Sequence, residues 1–374
     1  MPKKIPLHFI LTLQFVLQVL GIVGLVGYFS YRSGSAAVGD IAHRLMTETG
    51  DRIIDNFNHY LEIPHRINKS NINALESGTI TPKDLDQLHR YLILTKQKYP
   101  EVSTLLWGSP QGDFLYVHLM TPTEIRIGSP TIQTDLPFLG AGHSDPQDPT
   151  RFHSYRITPE GELGEYLQTV ENIPIQQRPW YRQAIQAGKP AWSQPFQLGI
   201  TNQLTINAAA PVYNQQQNLL GVFGVNITLE RLDKFLATLS ISEHSEIFII
   251  ERNGLMIANS VGEDSFTVSL PVSEGNANPG RGKFERRSVL ESDHPILREA
   301  AQALQTQLGN FATIEKPQNL TFTTNNAALT KALGRFYYLR VIPYQDAHGL
   351  DWLIVAVVPE SDFMGAIYAN LRRT

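Results

Sequence analysis

The chain has 374 residues, 18% of them charged, a formal net charge of −4 and no cysteine. That length suits two or three domains of about 100–200 residues each. The mild charge offers no basic stripe for nucleic acid, and without thiols there are no disulfides, zinc–thiolate centres or thiol catalysis.

Residues 5–29 are mostly Leu, Ile, Val, Phe and Gly, and from Leu7 to Tyr28 carry no charge apart from His8. At about 1.5 Å per residue such a helix crosses a hydrocarbon core of about 30 Å. Lys3 and Lys4 precede it. They set the N-terminus in the cytoplasm, the anchor in the inner (plasma) membrane, and the bulk of the chain outside, periplasmic or extracellular. The run exceeds the apolar region of a cleaved signal peptide, so an uncleaved transmembrane helix is expected. Gln14, Gln18, Gly21, Gly24 and Gly27 are residue types that pair helices in membranes.

Val38, Ile41, Leu45, Ile53, Ile54, Phe57 and Leu61 then recur at helical spacing. They predict a long stalk helix that continues the membrane helix and ends or kinks at Pro64. Its apolar face is the expected pairing surface of a homodimer. A shorter helix is predicted after Thr81-Pro82, with Leu85, Leu88, Leu92 and Leu94 on its apolar face.

From Val102 the period changes to that of strands, at 102–107, 114–119 and 124–127. Residues 136–150 are rich in Gly, Pro and Asp and read as a surface loop. Strands are predicted again at 151–157 and 165–169. A helix begins at Arg178-Pro179-Trp180-Tyr181 and stops at Gly188-Lys189-Pro190. Strands at 204–213 and 219–229 form a hairpin around a polar turn, and a helix follows at 230–239. Together these describe a PAS-like sensory module.

A second module of the same order follows. Strands at 246–251 and 255–258 meet across Asn253-Gly254, a favoured hairpin turn. Residues 260–291 read as irregular, and 295–308 as a helix with Ile296, Ala300, Ala303, Leu304 and Leu308 on one stripe. Strands are expected at 319–324, 335–342 and 352–358, and a last helix starts at Pro359. The fold class is therefore α+β: an N-terminal transmembrane helix (1–30), a stalk (31–80), and two PAS-like antiparallel modules (81–240 and 241–360). A helix at 361–374 returns to the membrane and stops short of a second span, with no output domain.

The residues most suited to chemistry surround Arg178. A guanidinium beside Trp180 and Tyr181 can clamp a carboxylate through two parallel hydrogen bonds while the rings exclude water. Phe196 follows on an extended segment. The same residue types also serve plain packing.

The order of parts, together with Arg178-Pro179-Trp180-Tyr181, Pro211-Val212-Tyr213, the stretch from Gly221 to Leu229, Leu350-Asp351-Trp352 and Pro359-Glu360-Ser361-Asp362-Phe363, resembles the double Cache (dCache) sensory domains of bacterial transmembrane receptors. The resemblance implies an extracytoplasmic, ligand-binding and non-enzymatic region of a signal-transduction receptor. It implies that the membrane-distal module holds a small molecule, with Arg178 and Trp180 in its pocket and Tyr181 nearby.

In the amino-acid-sensing branch an Asp on the last strand takes the ligand ammonium. Here that position is Asn226. Phe196 stands where a Tyr is usual, and Ile173 where another Tyr is expected. A charge-assisted hydrogen bond is worth about 1.5–3 kcal/mol against about 0.5–1.5 for a neutral one. The expected ligand is therefore a small carboxylate, with an amino acid as the alternative. No cofactor, metal or nucleic acid is implied. An anchored periplasmic enzyme is the weaker rival, since no HExxH or GxSxG occurs and the eleven histidines are scattered. His143, Asp145 and Asp148 are metal-ligand types but lie in the expected polar loop.

Overall fold

The computed structural model describes residues 7–120, 137–145, 147–148, 150–171, 174–198, 203–239, 241–269 and 283–363. It opens on one continuous helix, α1 (Leu7–Glu76), about 105 Å long at the usual rise. The helix does not stop at Pro64 as predicted. An internal proline costs about 3 kcal/mol or more. Phe57, Leu61 and Ile67 flank it and are all buried, each worth about 1.5–3 kcal/mol, so packing overrides the break.

The apolar run at the start of α1 carries exposed side chains throughout its described part, 15–29. Among the described residues no helix is long and apolar enough to cross a membrane.

After α1 come α2 (Leu85–Lys98), β1 (Thr104–Gly108), β2 (Phe114–Met120), β3 (Phe138–Ser144), β4 (Arg151–Ile157) and β5 (Leu163–Glu171). Next are α3 (Pro179–Ala187), β6 (Ala191–Trp192), β7 (Phe196–Gln197), β8 (Leu204–Tyr213), β9 (Leu219–Thr228) and α4 (Leu229–Ala237). The cap of α2 is Asp84, whose side chain accepts from the Gln87 amide at 2.9 Å. That cap starts the helix later than Thr81-Pro82 suggested. β3 replaces the loop expected at 136–150. Its glycines are a packing requirement, because a Cβ on Gly142 would lie 2.2 Å from the Tyr116 ring of the neighbouring strand. The strand expected at 124–127 lies outside the described residues.

These strands form a nine-stranded sheet in the order β5-β4-β3-β2-β1-β9-β8-β6, with β7 also on β8. Pairing is antiparallel throughout. One face packs on α1 and α2 through Ile67, Leu88, Leu92, Trp107 and Phe223. The other carries α3 through Trp180, Tyr181 and Ala184.

The second sheet is built from β10 (Glu246–Glu251), β11 (Met256–Asn259), β14 (Gln318–Thr323), β15 (Phe336–Gln345) and β16 (Asp351–Pro359), in the order β11-β10-β16-β15-β14. A separate hairpin, β12 (Phe266–Ser269) with β13 (Lys283–Arg286), lies inside the stretch expected to be irregular. α5 (Pro295–Leu308) covers one face through Leu297, Ala300 and Leu304. A short α6 (Ala327–Leu333), with no strong apolar stripe to announce it, precedes β15. The last helix is described only at 360–363; the rest of the expected returning helix lies outside the described residues.

Both sheets rest on α1. Met46, Ile53, Phe57 and Leu61 share one core with Ile206 and Ile227 of the first sheet and Ile354 and Val358 of the second. The apolar face read as a pairing surface is therefore covered within the chain. Only flanking side chains such as Ile41 and Leu45 remain exposed. Polar clamps fix the register. Asn68 donates to the Ala208 carbonyl at 2.7 Å. Arg340 donates to Thr47 at 3.2 Å and to Asn319 at 2.9 Å, and Asp51 lies 3.6 Å from it.

Arg340 crosses α1 at Gly50, where an added Cβ would sit 2.3 Å from Nε and 2.9 Å from Ile342. Gly50→Ala raises helix propensity by about 1 kcal/mol, but overpacking costs about 1–3 kcal/mol. The expected outcome of chemical denaturation is a net loss of stability, and a gain would show that α1 does not lie against Arg340.

The sheets also meet beside His65 of α1. Its ring stacks on His348 at 3.6 Å and meets Trp192 edge-on at 4.8 Å. Trp192 donates its indole N–H to Asp346 at 2.7 Å and its amide to the His348 carbonyl at 3.0 Å. Both His65 nitrogens are buried without a hydrogen bond. Burial, then the neighbouring His348, pushes its pKa down to about 3. A depressed folded pKa means stability that is complete above the unfolded value of 6.5 and lost as pH falls towards 3. Melting temperature should therefore drop through that window, less steeply in His65→Phe. Parallel curves for the two proteins would refute this account.

Candidate functional site

The α3 face of the first sheet carries a row of polar side chains in register across its strands. Thr104 pairs with His118 on one side and Asn226 on the other, and Asn226 pairs with Asn207. His118 continues the row to Gly140, and Gly140 to Arg156. Alternation puts these positions on the same face as Leu106, Tyr116 and Ala209, which lie in the α3 core. Thr104, His118, Asn207 and Asn226 are all buried.

Their hydrogen bonds are only partly complete. Thr104 Oγ1 and His118 Nδ1 lie 2.8 Å apart. Asn207 Nδ2 donates to Asn226 Oδ1 at 2.6 Å, and the Asn207 amide donates to Ser193 Oγ at 3.0 Å. Asn226 Nδ2 and Asn207 Oδ1 have no partner. One spare donor and one spare acceptor thus lie side by side on the sheet. Leaving such groups unpaired costs about 1–3 kcal/mol each, which a polar ligand would recover.

Trp180 lies over this pair. A Cβ on Gly224 would be 3.2 Å from the indole and 2.9 Å from the Asn207 amide, so a glycine here admits both. Arg178-Pro179 creates the local geometry. Arg178 is extended (φ −71°, ψ 135°), Pro179 takes the first helical turn, and Gly188 closes α3 in the left-handed conformation (φ 62°).

The sequence-predicted residues separate on this face. Trp180 and Tyr181 are 1% and 4% exposed and meet edge-on at 5.9 Å. They are core residues as well as a wall. Burial, then Tyr213, raises the Tyr181 pKa and keeps its hydroxyl protonated. Arg178 is only half-buried, and the ring beneath its guanidinium is Phe114, 4.5 Å away. Phe196 is half-buried at the margin, opposite Thr205 on β8. Asn226 sits in the polar row. Ile173 lies outside the described residues.

Sequence reasoning missed Thr104, His118, Asn207 and Arg156. Arg156 lies over Phe138 at 4.2 Å and is 3.5 Å from Glu165, repeating the cation-on-ring arrangement of Arg178 and Phe114. The available signal was a polar residue at an inward position of an otherwise apolar strand, as with His118 between Val117 and Leu119. Among the described residues the row itself contains no carboxylate. Three cavities lie elsewhere, near Glu246, near Trp352 and near Asp233.

His143 stacks on Tyr155, Asp145 pairs with His153 at 3.3 Å, and Asp148 caps Thr150. Among the described residues no group of three or more His, Asp or Glu side chains converges as a metal site.

Several known proteins are similar to this chain. The methyl-accepting chemotaxis protein McpA of Pseudomonas putida is 31% identical over 120 residues, covering 30% of this chain and 18% of that protein. The chain thus matches well under two thirds of that relative's length. Two solved structures are similar at lower identity. The ligand-binding domain of the Pseudomonas aeruginosa PAO1 amino acid chemoreceptor PctB, in complex with L-Arg, is 15% identical with a TM-score of 0.46, over 84% of this chain and 93% of that one. The ligand-binding domain of the Pseudomonas fluorescens chemoreceptor CtaA, in complex with L-serine, is 15% identical with a TM-score of 0.46, over 84% and 96%. The Cache domain of the dCache_1 family matches residues 142–367. That match takes in more than half of the chain, and the protein belongs to the double Cache family of sensor domains.

Proposed function

We propose that this chain is the extracytoplasmic sensing region of a bacterial transmembrane receptor, and that the α3 face of its first sheet binds a small carboxylate-bearing metabolite. The observation that carries the reading is the polar row beneath Trp180, which has a spare amide donor on Asn226 and, at its end, the Arg156 guanidinium 3.5 Å from Glu165, with the Arg178 guanidinium over Phe114 on the same face. Such a surface favours an anion. Arg178 is the positioning charge for the carboxylate, Trp180 the wall, and Asn226 Nδ2 a neutral donor to a second oxygen.

Asn207 Oδ1 supports the second reading, an amino acid, because it is a buried acceptor an ammonium could use. As a neutral acceptor it forms a weaker bond than a carboxylate would.

On this reading residues 7–29 anchor the chain in the inner membrane with the N-terminus cytoplasmic. The exposed apolar side chains between Phe15 and Phe29 need an apolar surrounding. Signal passes from β9, which carries Asn226, straight into α4, and through α1, which both sheets share. Ligand acts by binding one arrangement of these parts more tightly than another. In a receptor dimer the flank holding Ile41 and Leu45 would be the pairing surface. On this reading the two modules are residues 81–240 and 241–360.

Two measurements test the ligand class. Calorimetry of the chain against acetate, pyruvate and succinate should give saturable heats that alanine and serine do not. Arg178→Ala should abolish thermal stabilisation by those acids and leave the far-UV spectrum unchanged; stabilisation that survives puts the site elsewhere. Asn226→Asp should reverse the preference, weakening acids and strengthening amino acids about tenfold, near 1.4 kcal/mol. An unchanged preference means that Asn226 does not face the ligand.

A further inference from the structure

A cavity of about 610 Å³ lies where α4 leaves the first sheet and meets residues 260–266 of the second module. Its polar lining comes from Gln203, Glu230, Asp233, Lys234, Asp264 and Ser265. Three carboxyl groups therefore face one ammonium.

Most of that lining is already arranged. Lys234 lies 2.5 Å from Glu230 Oε1, with its own side chain 71% exposed on the solvent side. Gln203 Nε2 donates to Glu230 Oε2 at 2.5 Å. Glu230 is thus satisfied from both sides. Asp233 accepts the Asn259 amide at 2.7 Å through Oδ1, which ties α4 to β11 of the second sheet. What remains is an acceptor without a donor. Gln203 is 9% exposed, and its Oε1 is buried with no hydrogen bond.

A spare buried acceptor on one lining residue and a carboxyl group on another, in a space also walled by Leu204, Leu229 and Phe266, call for a donor with a positive charge and a hydrocarbon body. We propose that this junction cavity is a binding site for a small organic ammonium ion. The ammonium donates to Asp233 and to Gln203 Oε1, Asp264 supplies charge at the rim, and the alkyl part lies against the apolar wall. The site is separate from the polar row under Trp180, and its occupant would brace α4 against the second module.

The protonation of Asp233 fits this arrangement. Burial raises its pKa from 3.8 to about 7; the Asn259 amide and Lys234 oppose the rise, and Asp264 and Glu230 add to it. An arriving cation favours the carboxylate, so binding near neutral pH releases a proton and tightens as pH rises through about 7.

The test is titration calorimetry of the whole chain with n-butylammonium chloride, using 1-butanol and potassium chloride as controls. Saturable one-site binding is expected for the ammonium alone, with a heat that varies with the ionisation enthalpy of the buffer. Asp233→Asn keeps an Oδ1 acceptor for the Asn259 amide, and should weaken binding at least tenfold and remove the buffer dependence. Gln203→Leu should weaken it without removing that dependence. Arg178→Ala should leave it unchanged, which separates this site from the carboxylate site. No saturable heat, equal binding of either control, or unchanged affinity in both Asp233→Asn and Gln203→Leu would overturn the proposal.

Discussion

The contact between α1 and the two sheets is the constraint from which the rest of the structure follows. Met46, Ile53, Phe57 and Leu61 lie in one core with both sheets. At about 1.5–3 kcal/mol for each fully buried side chain, these residues outweigh the cost of Pro64 and keep the helix unbroken. Because the apolar stripe is continuous, the sheets cannot slide along α1 independently. Asn68 of α1, donating to the first sheet, and Arg340 of the second sheet, donating to α1, set the register with hydrogen bonds that apolar packing alone would not specify.

Within that frame the first sheet can hold an incompletely satisfied polar row. Native interiors pair nearly all their buried polar groups, and exceptions concentrate where a function requires them. The spare atoms of Asn207 and Asn226 face an otherwise apolar layer made by Trp180, Tyr116 and Leu106. Rigid strands hold those atoms, while α3 carries the aromatic wall. On the proposed reading the site would have a floor fixed by sheet register and a cover carried by one short helix.

The junction between modules joins the apolar core around α1 and α4 to a few specific polar contacts. Trp192 bonds to Asp346 and to the His348 backbone, His65 stacks beneath, and Asp233 reaches the Asn259 amide. Such contacts are individually weak, about 0.5–1.5 kcal/mol when neutral, and two packings that differ by a few of them would be close in energy. That is the energetic condition for a module pair whose relative position responds to binding.

Local features of the chain were legible without coordinates. Apolar residues at helical spacing marked 295–308, a polar turn marked the hairpin of 204–213 with 219–229, and Asn253-Gly254 and Gly188 announced their turns, because each depends only on neighbouring dihedrals and faces. Arg178, Trp180 and Asn226 could be singled out by their place in a family pattern. β3 was lost because its Gly-rich composition reads as loop, and only the Tyr116 ring above Gly142 explains it. The passage of α1 through Pro64 depended on what the helix packs against. The polar row required His118, Thr104, Asn226 and Asn207 to come into register from four strands, with β1 placed next to β9. Periodicity specifies which way a side chain faces, whereas register between distant strands is set by the packing of the whole sheet, so only the tertiary structure could assemble that row.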